Sequence, residues 1–212
     1  HYTTTIDGQL IHFVHHKGKG QSSLPLLMTH GWPGTVWEML PSVRALANPA
    51  ANGGNAADSF DVVVPSIPGF AFSGAPQEGT DMSRTAELWI ALMDKLGYQR
   101  FGAYGSDWGA GITRELAARL PDRVVGIHTP GSPPRQQRDP RTDEEREYLE
   151  RVERWSVDET GYQRIQGTKP QTLAFGLTDS PVGLAAWITE KLRSWSDCDG
   201  DVEKRFSKDQ IL

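Results

Sequence analysis

Four short apolar runs punctuate the first part of the chain: Leu24–Thr29, Phe60–Pro65, Phe101–Gly105 and Val124–His128. Each is aliphatic or β-branched and bounded by turn-forming residues, as strands buried on both faces of a parallel sheet read. Between them, Val36–Leu46, Met82–Leu96 and Trp108–Leu120 place apolar residues at helical spacing. Ahead of them, Tyr2–Ile6 and Leu10–His15 flank Asp7-Gly8, the signature of a hairpin. The stretch from Ala47 to Ser59, rich in Asn, Ala and Gly, reads as a surface loop. This strand–helix alternation predicts an α/β fold with a doubly wound, mostly parallel sheet.

After His128 the pattern changes. Pro130-Gly131-Ser132-Pro133-Pro134 and the charged run from Arg135 to Glu150 mark an exit from the core, and the remainder is helical. Thr142 with Glu145 resembles a capping box, predicting a helix to about Trp155, and Leu184–Trp195 predicts another. The expected division is a core over residues 1–130 and a helical unit over residues 131–212.

Composition narrows the classes. A chain of 212 residues can bury one sizeable core. A formal net charge of −5 argues against a nucleic-acid groove or an anionic membrane surface. The single cysteine, Cys198, excludes an internal disulfide and suits a reducing, cytoplasmic compartment. No apolar run approaches the roughly 20 residues of a membrane span, so a membrane partner is not expected. The first residue is His1 rather than Met, and no secretory leader is legible there.

The chemistry centres on Gly105-Ser106-Asp107-Trp108-Gly109. In a nucleophile elbow, glycines stand two residues before and two after the nucleophile, because the strand-to-helix turn leaves no room for side chains there. Gly105 and Gly109 frame Asp107; a Ser106 nucleophile would put Tyr104 and Trp108 at the crowded positions. The alternative is a glycine-rich loop with Asp107 as an ordinary helix N-cap. Upstream, Leu24–Thr29 runs into His30-Gly31-Trp32-Pro33-Gly34, again between a strand and a helix. Where an elbow is present, such a loop supplies one backbone N–H of an oxyanion hole and the residue after the nucleophile the other. Those residues are Trp32 and Trp108.

Together with these motifs, the loop Pro65-Ser66-Ile67-Pro68-Gly69-Phe70 running to Ser73-Gly74 and the stretch from Gly161 to Trp195 carry a resemblance. Within that stretch, Thr168-Lys169-Pro170-Gln171-Thr172 and Leu177 to Leu184 are its most specific part. The chain resembles the microsomal-type epoxide hydrolases of the α/β-hydrolase superfamily. The resemblance covers almost all of the chain and implies an α/β-hydrolase sheet with a helical cap, truncated at both ends. It implies that Asp107 attacks a small apolar epoxide, giving an alkyl ester, that Trp32 and Trp108 stabilise the oxyanion, and that Tyr162 donates a hydrogen bond to the opening oxygen. Water then hydrolyses the ester with the help of a histidine and its acid partner, without cofactor or metal.

The family's second tyrosine, its acid and its histidine fall beyond Leu212, and no counterpart of its N-terminal segment is legible. The chain is therefore expected to be an incomplete piece of such an enzyme. His1, His12, His15 and His16 read as half-exposed strand residues, and neither His30 nor His128 falls at the general base's place in chain order. Two other classes remain open, a haloalkane dehalogenase and a catalytically dead binding module; homo-oligomerisation is also open. Asp197, Asp199 and Asp201 read as an acidic surface turn rather than a calcium loop, since Gly200 falls between the acids. Trp155, Trp187 and Trp195 are expected in a core, and Arg135, Arg138 and Arg141 on a solvated face.

Overall fold

The computed structural model describes residues 1–130 and 139–212, which fall into two compact units, the first within His1–Pro134 and the second within Arg135–Leu212. The predicted passage out of the core and the residues Arg135 and Arg138 lie outside the described residues.

The first unit is a six-stranded sheet in the order β1-β2-β4-β3-β5-β6. Strands β1 (Tyr2–Ile6) and β2 (Gln9–His16) form the antiparallel hairpin. Its turn places both Asp7 (φ 48°) and Gly8 (φ 78°) in the left-handed region, as a two-residue hairpin loop requires. Strand β2 then pairs antiparallel with β4 (Phe60–Pro65). Strands β3 (Leu24–Thr29), β5 (Phe101–Gly105) and β6 (Val124–His128) continue the sheet in parallel from β4.

Helices α1 (Val36–Ala47), α2 (Met82–Lys95) and α3 (Trp108–Arg119) connect the strands. Thr35 caps α1 by accepting from Trp37 N–H at 3.1 Å, and Asp81 caps α2 by accepting from Arg84 N–H at 2.7 Å. Strand alternation divides the buried residues between the two sheet faces. Leu27, Val63 and Ala103 join Leu88, Trp89, Leu92, Ile112 and Leu116 of α2 and α3. Met28, Val62 and Val64 join Val36, Met39 and Val43 of α1. Trp89, fully buried, also donates its indole N–H to Thr29 Oγ1 at 3.2 Å, satisfying the one polar atom of a large core side chain. At the β6 edge the apolar Val125 and Ile127 are exposed.

The expected surface loop from Ala47 to Ser59 is more ordered than its composition suggests, with 3-10 turns at Pro49–Asn52 and Ala56–Asp58. Asn55 caps the second by accepting from Ala57 N–H, the local competition with the backbone that makes Asn a turn former.

The second unit is helical throughout: α4 (Asp143–Glu159), α5 (Gly161–Thr168), α6 (Pro170–Asp179), α7 (Pro181–Trp195) and α8 (Lys208–Ile211). Helix α4 runs four residues past the expected Trp155, and α7 starts at Pro181 because Ser180 caps it, accepting from Gly183 N–H at 3.0 Å. At the start of α4, Thr142 accepts from Glu145 N–H at 3.2 Å, while Glu145 reaches back to Arg141 N–H. Trp155 and Trp195 are not core residues: they are exposed and face each other with ring centroids 6.3 Å apart. Helix α4 buries none of its residues and α7 only Lys191, so the two rings pair at the surface. Among Asp197, Asp199 and Asp201, the first two pair with Arg205 and Lys204 and the third caps a 3-10 turn, as an acidic surface turn should. Among the described residues no group of metal-binding side chains converges, and no helix is long and apolar enough to cross a membrane.

The packing assigns most of the first unit's cohesion to the face covered by α2 and α3. Leu88→Ala should destabilise by roughly 2–5 kcal/mol, the usual cost of such truncations, while Glu78→Ala on the surface should stay within about 0.5 kcal/mol. Urea denaturation of the two variants checks this; equal effects would place the core elsewhere.

Candidate active site

Two loops meet because two neighbouring parallel strands end at the same level. In the β3–β5 ladder Met28 pairs with Tyr104 and Thr29 with Gly105, so the chain leaves the sheet at His30 and at Ser106 side by side. From β5 it turns into α3 through Asp107, whose φ of 53° and ψ of −120° lie where a non-glycine residue is rarely held. The flanking glycines are required by contact. A Cβ on Gly105 would strike the Gly109 carbonyl, and one on Gly109 would strike the Thr29 carbonyl and come within 2.8 Å of the His30 carbonyl.

Asp107 occupies the N-cap position of α3 but makes no side-chain capping bond, so the ordinary N-cap alternative does not describe it. Its carboxylate turns instead to the neighbouring loop, where Oδ1 accepts from Trp32 N–H at 2.9 Å. Gly31 permits that approach: a Cβ there would lie 2.5 Å from both Cβ and Oδ1 of Asp107. Trp108 provides the first N–H of α3, one of the amides that a helix leaves without an intrahelical partner. Asp107 is exposed, so its carboxylate is accessible. The structure thus brings Trp32, Asp107 and Trp108 together.

His30 holds the loop in place. Its Nε2 accepts from Ile67 N–H at 3.1 Å, which puts the ring proton on Nδ1, facing Gly31 O at 3.2 Å. Burial depresses its pKa, opposed by hydrogen bonds to the backbone and by the Asp107 charge. It is a neutral brace between the loop and the segment after β4. His12 is buried rather than half-exposed, its nitrogens against Ser66 Oγ at 2.9 Å and His1 Nδ1 at 3.0 Å. His128, at the end of β6, lies against Tyr104 with ring centroids 5.6 Å apart.

Tyr162 stands in the second unit, the second residue of α5 and buried. Its hydroxyl accepts from Gln163 Nε2 at 2.9 Å and its ring meets Trp195 edge-on at 5.4 Å. Lys191 Nζ lies 5.5 Å from that ring and is neutralised by Glu159 at 2.9 Å and Glu190 at 2.8 Å. The tyrosine is a fixed group with its hydroxyl in a polar contact.

One residue escaped sequence reasoning. Glu38, in the first turn of α1, lays its carboxyl over Gly34, in the space a side chain there would fill. It lines a cavity of about 760 Å³ with Met28, Tyr104 and His128. Crowding by protein atoms and, secondarily, the Asp107 charge push its carboxyl up to about 7. The residue remains open to solvent through that cavity, so water screens part of the repulsion. The available signal was its place as the third residue of α1 after the cap Thr35, where an acidic side chain can fold back over the helix entry.

Residues 25–134, more than half of the chain, match the family model described as the alpha/beta hydrolase fold, and the chain belongs to that family. Residues 1–39 match the model described as the epoxide hydrolase N terminus, which corrects the expectation that nothing here has a counterpart in the N-terminal segment of the epoxide hydrolases. The whole chain is 44% identical to a Stigmatella aurantiaca protein with a provisional epoxide hydrolase name, covering 49% of it. It is 35% identical to epoxide hydrolase 1 of Oryctolagus cuniculus, covering 53% of that protein. The solved juvenile hormone epoxide hydrolase of Bombyx mori superposes with a TM-score of 0.78 at 31% identity, over 99% of this chain and 51% of that one. These relatives, similar to it over nearly its whole length, all carry epoxide hydrolase names. It spans about half the length of the curated relatives it matches.

Gly109→Ala should cost roughly 1–3 kcal/mol or more, since backbone carbonyls cannot move aside as side chains do; a chemical melt at wild-type stability would contradict the packing. For Glu38 the sign follows from its raised pKa: the folded state holds the proton more tightly, so this group's contribution to stability falls as pH rises from the ordinary carboxylate range to about 7. Glu38→Gln should therefore melt above the wild type at pH 8 and close to it at pH 4, and a difference independent of pH would refute the shift.

Proposed function

We propose that this chain carries the nucleophile of an epoxide hydrolase that opens a small apolar epoxide through an Asp107 ester and releases a vicinal diol after attack by water. The observation that carries this reading is the Asp107 carboxylate, exposed, held at positive φ and bonded to Trp32 N–H instead of capping its own helix. A carboxylate so placed can attack a strained ring carbon in line and form an ester whose carbonyl oxygen faces backbone donors. The Trp32 and Trp108 N–H groups are assigned to the oxyanion of the hydrolysis step.

The described residues of the second unit serve in this reading as the cap, and Tyr162 as the hydrogen-bond donor to the opening epoxide oxygen, with Lys191 and Trp195 fixing its ring. No cofactor enters the scheme, because ring strain and the two carbon–oxygen bond changes need only a nucleophile, a proton donor and water. The buried, unpaired Cys198 favours a reducing compartment such as the cytoplasm.

The test uses the full-length gene product and styrene oxide, a small apolar epoxide. Rapid quenching and intact-mass analysis should reveal a covalent adduct at Asp107 that decays to diol. Asp107→Asn should abolish the adduct and lower kcat/KM by roughly 10⁴-fold or more, the scale of nucleophile removal in hydrolases. Tyr162→Phe should slow adduct formation by roughly 10²-fold or more, the contribution of a lost proton donor, without slowing adduct decay. Halide release from a haloalkane with no diol from the epoxide would sink the reading in favour of dehalogenation.

A further inference from the structure

Two carboxyl groups lean on the same five-residue loop. Gly31 makes room for Asp107, and three residues later Gly34 makes room for Glu38, each carboxyl filling the space of the side chain its glycine lacks. Trp32 N–H, between the two glycines, already bonds the first carboxylate. The second faces the open cavity, where water can reach it. The other titratable groups lining that cavity are Tyr104 from β5 and His128 from β6, while β3 and β4 contribute the apolar Leu26, Met28 and Phe60. His30, within the loop, has both ring nitrogens engaged.

Resting on the reading above, we propose that Glu38 is a positioning residue for ester hydrolysis: its carboxylate accepts a hydrogen bond from the attacking water and turns a lone pair of that water toward Cγ of the Asp107 ester. The step forms a bond from water oxygen to Cγ and breaks the Cγ–O bond to the alkyl group. The proton lost by the water passes, through a general base, to the departing diol oxygen, and Asp107 releases the other to solvent as its carboxylate is restored. Glu38 keeps its proton count over the cycle.

The charge relation between the two carboxyls suits this role. While Asp107 is ionised it opposes ionisation of Glu38, whose carboxyl is already held up by crowding. Conversion of Asp107 to a neutral ester removes that opposition. Glu38 then ionises at lower pH in the intermediate than in the free enzyme, so the acceptor for water strengthens when water is needed.

Single-turnover reactions of the full-length gene product with styrene oxide separate this step from alkylation. Glu38→Gln should form the Asp107 adduct within about threefold of the wild-type rate but lose it roughly 10- to 100-fold more slowly, the scale of a misplaced reactant. Its adduct decay should also climb less steeply as pH rises toward 7. Gly34→Ala provides an independent variant: the backbone there is unstrained, and the added Cβ displaces only the end of the Glu38 side chain. It should show the same slow decay with normal alkylation. Wild-type decay in both variants overturns the inference, as does equal slowing of both steps, which is what a purely structural role would give. Absence of any Asp107 adduct in the wild type overturns instead the reading on which the inference rests.

Discussion

The site depends on the close approach of two chain segments at the ends of β3 and β5. Gly109 presses against the carbonyls of Thr29 and His30, and Gly105 against the carbonyl of Gly109, at separations no side chain could share. That approach brings the Trp32 amide within 2.9 Å of Asp107 Oδ1. The sheet register supplies the coarse alignment and the glycines the last few ångströms. Shifting β5 by one residue against β3 would misplace the elbow by about 3.3 Å and turn its side chains to the other face.

The backbone strain at Asp107 belongs to the same arrangement. A positive φ at a non-glycine residue is unfavourable, of order 1–3 kcal/mol, and persists because β5, α3 and the loop after β3 over-determine the turn. The hydrophobic side covered by α2 and α3 therefore holds up a local conformation that contributes nothing to stability itself. His30 extends the bracing, since the Ile67 amide from which it accepts fixes the loop after β3 to the segment after β4.

Much of this was legible in the residues. The strand runs and the Asp7-Gly8 turn locate the sheet, because period and turn chemistry are local properties, and the Gly105/Gly109 register selects Asp107 over Ser106. What escaped depends on long-range geometry. The burial of His12 follows from Ser66 and His1 closing over it, and the exposure of Trp155 and Trp195 follows from helices α4 and α7 burying almost none of their own residues. Glu38 looked like an ordinary first-turn acid at a helix start. Only the folded loop reveals that its carboxyl lies where Gly34 has no side chain.

The donor at Trp32 is a peptide N–H, and this has an evolutionary consequence. Any residue except proline carries the same group, so drift at that position can change the side chain beside Asp107 without erasing the bond to its carboxylate. The Asp107 carboxylate enjoys no such protection, since it resides wholly in one side chain. The site thus divides into an inheritable frame written in the main chain and a few letters set into it, and the side chains around Asp107 can change without rebuilding that frame.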